Sequence, residues 1–206
     1  MCIRDSLTYL RQENVEAALA DLQAGIDAAP AAPTPYLTRA DLLAATGRLE
    51  EALADYDHAL ELDATAAGAL AGRAAVQQQL GRPEAALADY NRLVELAPDS
   101  PEALFRRAGA QIALQQFAAA EADLSRAIQL SPATPALYLS RAYVRGQLTD
   151  QAGQAADYFE WIRLIEAQPL PPASPLAPGE SRVVQLSAGA VYRFPFEAAA
   201  GQVIQL

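Results

Sequence analysis

The stretch Tyr36-Leu37-Thr38-Arg39-Ala40-Asp41-Leu42-Leu43-Ala44-Ala45-Thr46-Gly47-Arg48-Leu49-Glu50-Glu51-Ala52-Leu53-Ala54-Asp55-Tyr56 decides the fold. Its apolar positions, Tyr36, Leu37, Ala40 and Leu43, then Leu49, Leu53, Tyr56 and, just beyond, Leu60, fall at helical spacing on either side of Gly47. That pattern predicts two amphipathic helices with a tight turn between them. The same arrangement returns every 34 residues. Arginine followed by alanine recurs at Arg39-Ala40, Arg73-Ala74, Arg107-Ala108 and Arg141-Ala142, and an aspartate column runs Asp21, Asp55, Asp89, Asp123, Asp157, each preceded by alanine. Ala18, Ala52, Ala86 and Ala120 form a third column, and Pro30, Pro98 and Pro132, with Ala64 at the remaining place, end each unit.

Prolines mark helix starts as well as ends. Thr34-Pro35, Ser100-Pro101 and Thr134-Pro135 each offer a capping hydroxyl followed by a residue whose missing amide costs nothing in a first turn, and Arg82-Pro83-Glu84 opens a second helix in the same way. The predicted helices span 35–46 and 49–62, 67–80 and 83–96, 101–114 and 117–130, 135–147 and 150–167, with a truncated pair before residue 29.

These columns resemble the tetratricopeptide repeat family over residues 7–168. Tyr36, Ala40, Gly47, Ala52, Tyr56, Ala59 and Ala64 follow the family's pattern in one unit, and Leu70, Ala74, Gly81, Ala86, Tyr90, Leu93 and Pro98 in the next. Departures are Glu13, Gln115 and Thr149 where glycine is usual, Leu93 at a small position, and Gln154 for the packing alanine. The resemblance implies an all-α, right-handed solenoid of helical hairpins, with units at about 7–32 (partial), 33–66, 67–100, 101–134 and 135–168. A unit of this kind cannot bury its apolar face alone, so neighbours stack and stability is close to a sum over nearest neighbours.

The family's first helices line a concave groove for a peptide. The matching positions here include Leu37, Asp41, Gln78, Gln79, Phe105, Ile112, Leu139 and Tyr143. Gln78, Gln79 and Gln147 can bond a peptide backbone, and Phe105, Leu139 and Tyr143 can anchor apolar side chains. The alternative is that small residues simply keep this face bare. Chaperone-binding members clamp a terminal carboxylate with lysine, asparagine and arginine, whereas Leu37, Asp41, Ala71, Ala75, Phe105 and Gly109 stand at those places. A carboxylate-clamp co-chaperone is therefore not expected.

Two further features belong to the array. The arginine column can reach an aspartate of its own unit, as Arg39 to Asp55, or of the preceding one, as Arg39 to Asp21; spacing alone leaves both open. Trp161 stands where Gly25, Ala59, Leu93 and Ala127 keep the column small or medium. With Ile162 and Ile165 it is expected to cover the open end of the solenoid or to dock the following C-terminal β-domain, the plain alternative being a core tryptophan.

After the repeats the composition changes. Pro169-Leu170-Pro171-Pro172-Ala173-Ser174-Pro175-Leu176-Ala177-Pro178-Gly179 reads as a stiff linker over 169–180. Residues 181–206 then carry strand-like runs at 182–186, 190–194 and 202–206, an incomplete β-domain. They resemble the start of a bacterial pre-peptidase C-terminal (PPC) type β-sandwich, which implies export or a cell-surface location; without it a cytoplasmic protein is expected. Met1-Cys2-Ile3-Arg4-Asp5-Ser6 resembles a read-through sequencing adapter, a scar on a bacterial metagenomic fragment whose true termini lie elsewhere.

Composition excludes several functions. The 206 residues carry 15 cations, all arginine, against 25 acidic residues, a net charge of −10, which disfavours nucleic acid. No apolar run approaches the roughly 18 residues of a membrane span. His58, the only histidine, falls on the outer face of a second helix beside Asp57, so neither a histidine-based triad nor a multi-histidine metal cluster is expected, and no cysteine pair for zinc, phosphate loop or dinucleotide fingerprint is present. The expected function is a non-catalytic scaffold binding a protein or peptide, with no cofactor and no metal. The alternative is an accessory region of a larger exported hydrolase whose catalytic domain lies outside this sequence.

Overall fold

The computed structural model describes residues 3–166, 183–185 and 191–193, with side chains from residue 14 to 166. The chain divides into two compact units, Met1–Pro132 and Ala133–Leu206.

The first unit holds α1 (Ile3–Ala28), α2 (Pro33–Ala45), α3 (Leu49–Leu62), α4 (Ala67–Gln79), α5 (Pro83–Leu96), α6 (Pro101–Ala113) and α7 (Phe117–Leu130). Helices α2–α3, α4–α5 and α6–α7 pair as antiparallel hairpins, and α3 packs on α4 as α5 packs on α6. Alanine makes the close approach: Ala40 and Ala52, Ala74 and Ala86, Ala108 and Ala120 are fully buried. The core of the first hairpin continues through Leu43, Tyr56, Ala59 and Leu60 to Ala69, Leu70 and Val76 of α4, with Leu19 of α1 on its other side.

Every hairpin turns in the same way. In α2 the amide of Arg48 donates to the carbonyl of Leu43 at 2.9 Å, and that of Gly47 to Ala44 at 3.1 Å, the paired bonds of a Schellman C-cap. Arg82 to Gln77, Gln116 to Gln111 and Asp150 to Arg145 repeat the longer bond at 2.8, 2.8 and 2.9 Å. The residue between must be left-handed, with φ of 82° at Gly47 and 70° at Gly81. Gln115 (57°) and Thr149 (63°) hold the same conformation without glycine's freedom. At Ala64, which lacks the usual proline, Asp63 closes the connection by accepting from the Thr65 amide at 2.9 Å and hydroxyl at 2.7 Å. Those bonds, the hydroxyl's first, hold the Asp63 carboxyl below its ordinary pKa.

Two details differ from expectation. In place of a truncated pair before residue 29, α1 is one helix of 26 residues. Glu13 supplies no glycine break, and the place of the arginine one repeat before Arg39 is held by Asp5, which offers Asp21 no cation. Helix α2 begins at Pro33 with Ala32 as its N-cap, so Thr34 lies inside the first turn, where proline is equally tolerated. Ser100 does cap α6, its hydroxyl accepting from the Ala103 amide at 3.2 Å.

The second unit contains the hairpin of α8 (Pro135–Gln147) and α9 (Gln151–Glu166) and the antiparallel strands β1 (Val183–Gln185) and β2 (Val191–Arg193), which pair Val183 with Arg193 and Gln185 with Val191. The proline-rich linker, the run at 202–206 and residues 1–2 lie outside the described residues. No described helix is long and apolar enough to cross a membrane.

Candidate functional site

The arginine column settles on its own hairpin and reaches beyond it. Arg39 donates through Nε and Nη2 to both Asp55 oxygens at 2.6 Å each, a fork-to-fork pair between α2 and α3. Arg73 does the same to Asp89 at 2.8 and 2.7 Å, Arg107 to Asp123 at 2.7 and 2.6 Å, and Arg141 to Asp157 at 2.9 and 2.6 Å. All four aspartates are buried, whereas Asp21 is exposed. The free Nη1 arm points backwards. It donates from Arg39 to Gln23, from Arg73 to Asp57 at 2.6 Å, and from Arg107 to Asn91 at 3.3 Å. Arg39, Arg73 and Arg107 therefore each close their own hairpin sixteen residues ahead and reach a residue sixteen behind, whereas Arg141 makes the forward bond to Asp157. The aspartate hydrogen bonds raise the pKa of Arg39, Arg73 and Arg107 against the opposing cost of burial. In the second unit Arg145 adds a bond to Asp157 at 3.1 Å.

Helices α2, α4 and α6 form a common face. Leu37 of α2 lies over Gly68 of α4, where a Cβ would meet its Cδ2 at 3.3 Å, and Gln78 of α4 reaches towards Gly109 of α6, its Nε2 3.8 Å from a Cβ there. First helices of successive hairpins are thus neighbours. Asp41 is exposed on this face and accepts the Tyr56 hydroxyl at 2.6 Å. Gln78 is half-buried and its Oε1 accepts the Tyr90 hydroxyl at 3.0 Å, while Gln79 is exposed. Phe105 and Ile112 of α6 are half-buried, each leaving apolar surface accessible. In the second unit Leu139 is half-buried and Tyr143 is 50% exposed.

The two tyrosines are the part that residue spacing did not reveal. Tyr56 and Tyr90 rise from α3 and α5, second helices, yet their hydroxyls emerge at first-helix residues. Burial is the main cause pushing both phenols above their ordinary pKa; Asp41 adds to it at Tyr56, and Arg106 opposes it at Tyr90. The ring of Tyr56 occupies the space where a Cβ at Gly72 would lie. A signal existed in the sequence, since the large residue at 56 is matched by glycine at 72, sixteen residues on, where the other units have Thr38, Arg106 and Ser140.

The face is poor in available positive charge. Arg39, Arg73 and Arg107 serve the aspartate column, and Arg106 donates to Glu102 at 2.6 Å. These are all the arginines that α2, α4 and α6 carry. His58 sits on the exposed surface of α3, its Nδ1 3.2 Å from Glu61 and its ring centroid 5.5 Å from that of Tyr36. Among the described residues no three metal-ligating side chains converge.

A family model described as a TPR repeat matches residues 40–81, and a second, described as a tetratricopeptide repeat, matches residues 70–135. Solved structures agree. MamA from Desulfovibrio magneticus RS-1 is similar with a TM-score of 0.72 at 21% identity, over 80% of this chain and 93% of that one. A tetratricopeptide repeat protein from Parabacteroides merdae is similar with a TM-score of 0.69 at 24% identity, over 80% of this chain and 66% of that one. The first TPR of Spaghetti (RPAP3), bound to the HSP90 peptide SRMEEVD, gives 0.55 at 22% identity, over 57% and 93%. Comparison with curated protein sequences finds no match. The fold is that of tetratricopeptide repeat structures.

Proposed function

We propose that the chain is a non-catalytic scaffold that holds an extended segment of a partner protein across the first-helix face. The observation that carries this reading is the juxtaposition of α2, α4 and α6, which leaves Asp41 and Gln79 exposed and Phe105 and Ile112 partly so, beside a densely packed alanine core. An accessible carboxylate and amide beside partly exposed aromatic and aliphatic surface suit the backbone and apolar anchors of an extended peptide. The similar RPAP3 structure carries a bound peptide, which supports the same use of the fold here.

The peptide class differs from that one. An acidic tail needs cations to meet its carboxylates, and every arginine on α2, α4 and α6 is already bonded to a carboxylate. Asp41 instead favours a neutral or basic segment, with Phe105 and Ile112 taking an apolar anchor and Gln79 bonding its backbone. Leu139 and Tyr143 offer apolar contacts of the same kind on α8.

Screening the full chain against a peptide library by fluorescence polarisation tests the reading. Basic or neutral peptides with apolar anchors should be retained and acidic ones rejected. Phe105→Ala should weaken binding roughly tenfold, as for a buried aromatic anchor. Retention that is indifferent to Phe105→Ala, or selection of acidic tails, would overturn it.

A further inference from the structure

The face of α9 that looks away from α8 is built unlike that of any earlier second helix. Its residues fall on columns that can be followed through the repeats. Ala59, Leu93 and Ala127 are buried, and the same place holds Trp161, half-buried. Tyr56, Tyr90 and Leu124 are almost wholly buried, whereas Tyr158 is 38% exposed. Leu60, Val94 and Ile128 are buried, whereas Ile162 is 39% exposed. Phe159, 73% exposed, occupies the column of Gln23, Asp57 and Asn91, the residues that accept the backward arm of a following arginine.

This face cannot accept another repeat of the same kind. A phenyl ring at 159 offers no oxygen to an incoming Arg Nη1, and an indole at 161 stands where the earlier repeats bury nothing larger than leucine. It is apolar, accessible and mismatched to a helix of the array. We propose that it is the docking surface for the chain's own C-terminal segment, residues 181–206.

Reach and chemistry both favour this occupant. The stretch 167–182, rich in proline, spans up to about 50 Å if extended at roughly 3.1 Å per residue. Helix α9, with 16 residues, is about 24 Å long, so the segment can return along its whole length. Tethering holds it at an effective concentration on the order of millimolar. Strands β1 and β2 have three residues each, and a hairpin of that size gains stability by packing against a further apolar surface. Its sequence supplies Val184, Leu186, Tyr192 and Phe194 to cover an apolar face. This inference is independent of the peptide-binding reading, which concerns other helices.

Trp161 is the only tryptophan of the chain and reports on the surface directly. Acrylamide quenching and the emission maximum are to be compared between the full chain and the double variant Val184→Ser, Tyr192→Ser, with circular dichroism confirming equal helix content. The proposal expects stronger quenching and a red-shifted emission in the variant. A protease site inserted between Ala173 and Ser174 provides the second measurement: after cleavage the 174–206 fragment should co-elute with the helices at micromolar concentration. Unchanged quenching together with release of the fragment would overturn the proposal. So would quenching that falls with rising protein concentration and ignores the variant, since the occupant would then be a second copy of the chain.

Discussion

The ring of Tyr56 fills the place where residue 72 would carry a Cβ; a methyl group there would stand 2.5 Å from the tyrosine hydroxyl oxygen. A side chain from α3 is thereby seated against the backbone of α4, and its hydroxyl meets Asp41 of α2 on the far side. One aromatic residue joins three helices.

Gly72→Ala should therefore destabilise the protein by about 1–3 kcal/mol through overpacking, despite alanine's better helix propensity. Gly68→Ala provides the contrast, because the atom it meets is a methyl at the tip of Leu37, which can move. That variant should be neutral or slightly stabilising. Urea midpoints of the two variants check the pair.

Removing Arg73 leaves the buried Asp89 carboxylate without its counterpart, whereas removing Asp89 leaves Arg73 still paired with Asp57. Arg73→Ala should cost roughly 3 kcal/mol, and Asp89→Ala less. The double variant should cost clearly less than the two single losses added together, because neither charge is then left alone. A double-mutant cycle from denaturation curves measures this coupling.

Gln115 and Thr149 hold left-handed backbone at turns that Gly47 and Gly81 adopt freely. Gln115→Gly and Thr149→Gly should each stabilise by about 1 kcal/mol, the relief of strain exceeding the entropy that glycine adds to the unfolded chain. Thr149, β-branched, should gain the more. A rise in Tm in thermal unfolding is the expected readout, and Gly47→Ala should lower it.

Burial raises the pKa of Tyr56 and Tyr90 in the folded chain. Both must be protonated to remain in place. Their contribution to stability is complete below the unfolded tyrosine value of about 10 and is lost as pH climbs above it towards the folded values. Absorbance at alkaline pH should show tyrosines that ionise late and together with unfolding. Tyr56→Phe should remove part of that late amplitude.

The period of 34, the turn glycines and the prolines made the hairpins legible: the helices expected at 49–62, 83–96, 117–130 and 135–147 have those bounds. Helix α1 was less so, because a turn is read from residues that break a helix and Glu13 is not one. Identifying the face required knowing which helices are neighbours, which the repeat supplied for Leu37, Gln78 and Phe105. It did not supply the partners. Asp41 and Tyr56 lie 15 residues apart and Gln78 and Tyr90 only 12, so no common spacing announces these bonds. The arginine column had two candidate partners, and the choice between Asp55 and Asp21 rests on side-chain direction, which a one-dimensional pattern does not hold. Asp21, two residues before Gln23, is exposed, and it is the Gln23 side chain that accepts the backward bond from Arg39.

The backward arginine arm, at Arg73 and again at Arg107, resists separation of neighbouring hairpins. Its acceptor is an anion at Asp57 and a neutral amide at Asn91, the latter at 3.3 Å. Pulled from its ends, the first unit is expected to lose the backward bond between α5 and α6 more readily than the one between α3 and α4. A single letter, aspartate or asparagine, thus grades a tie that successive hairpins repeat.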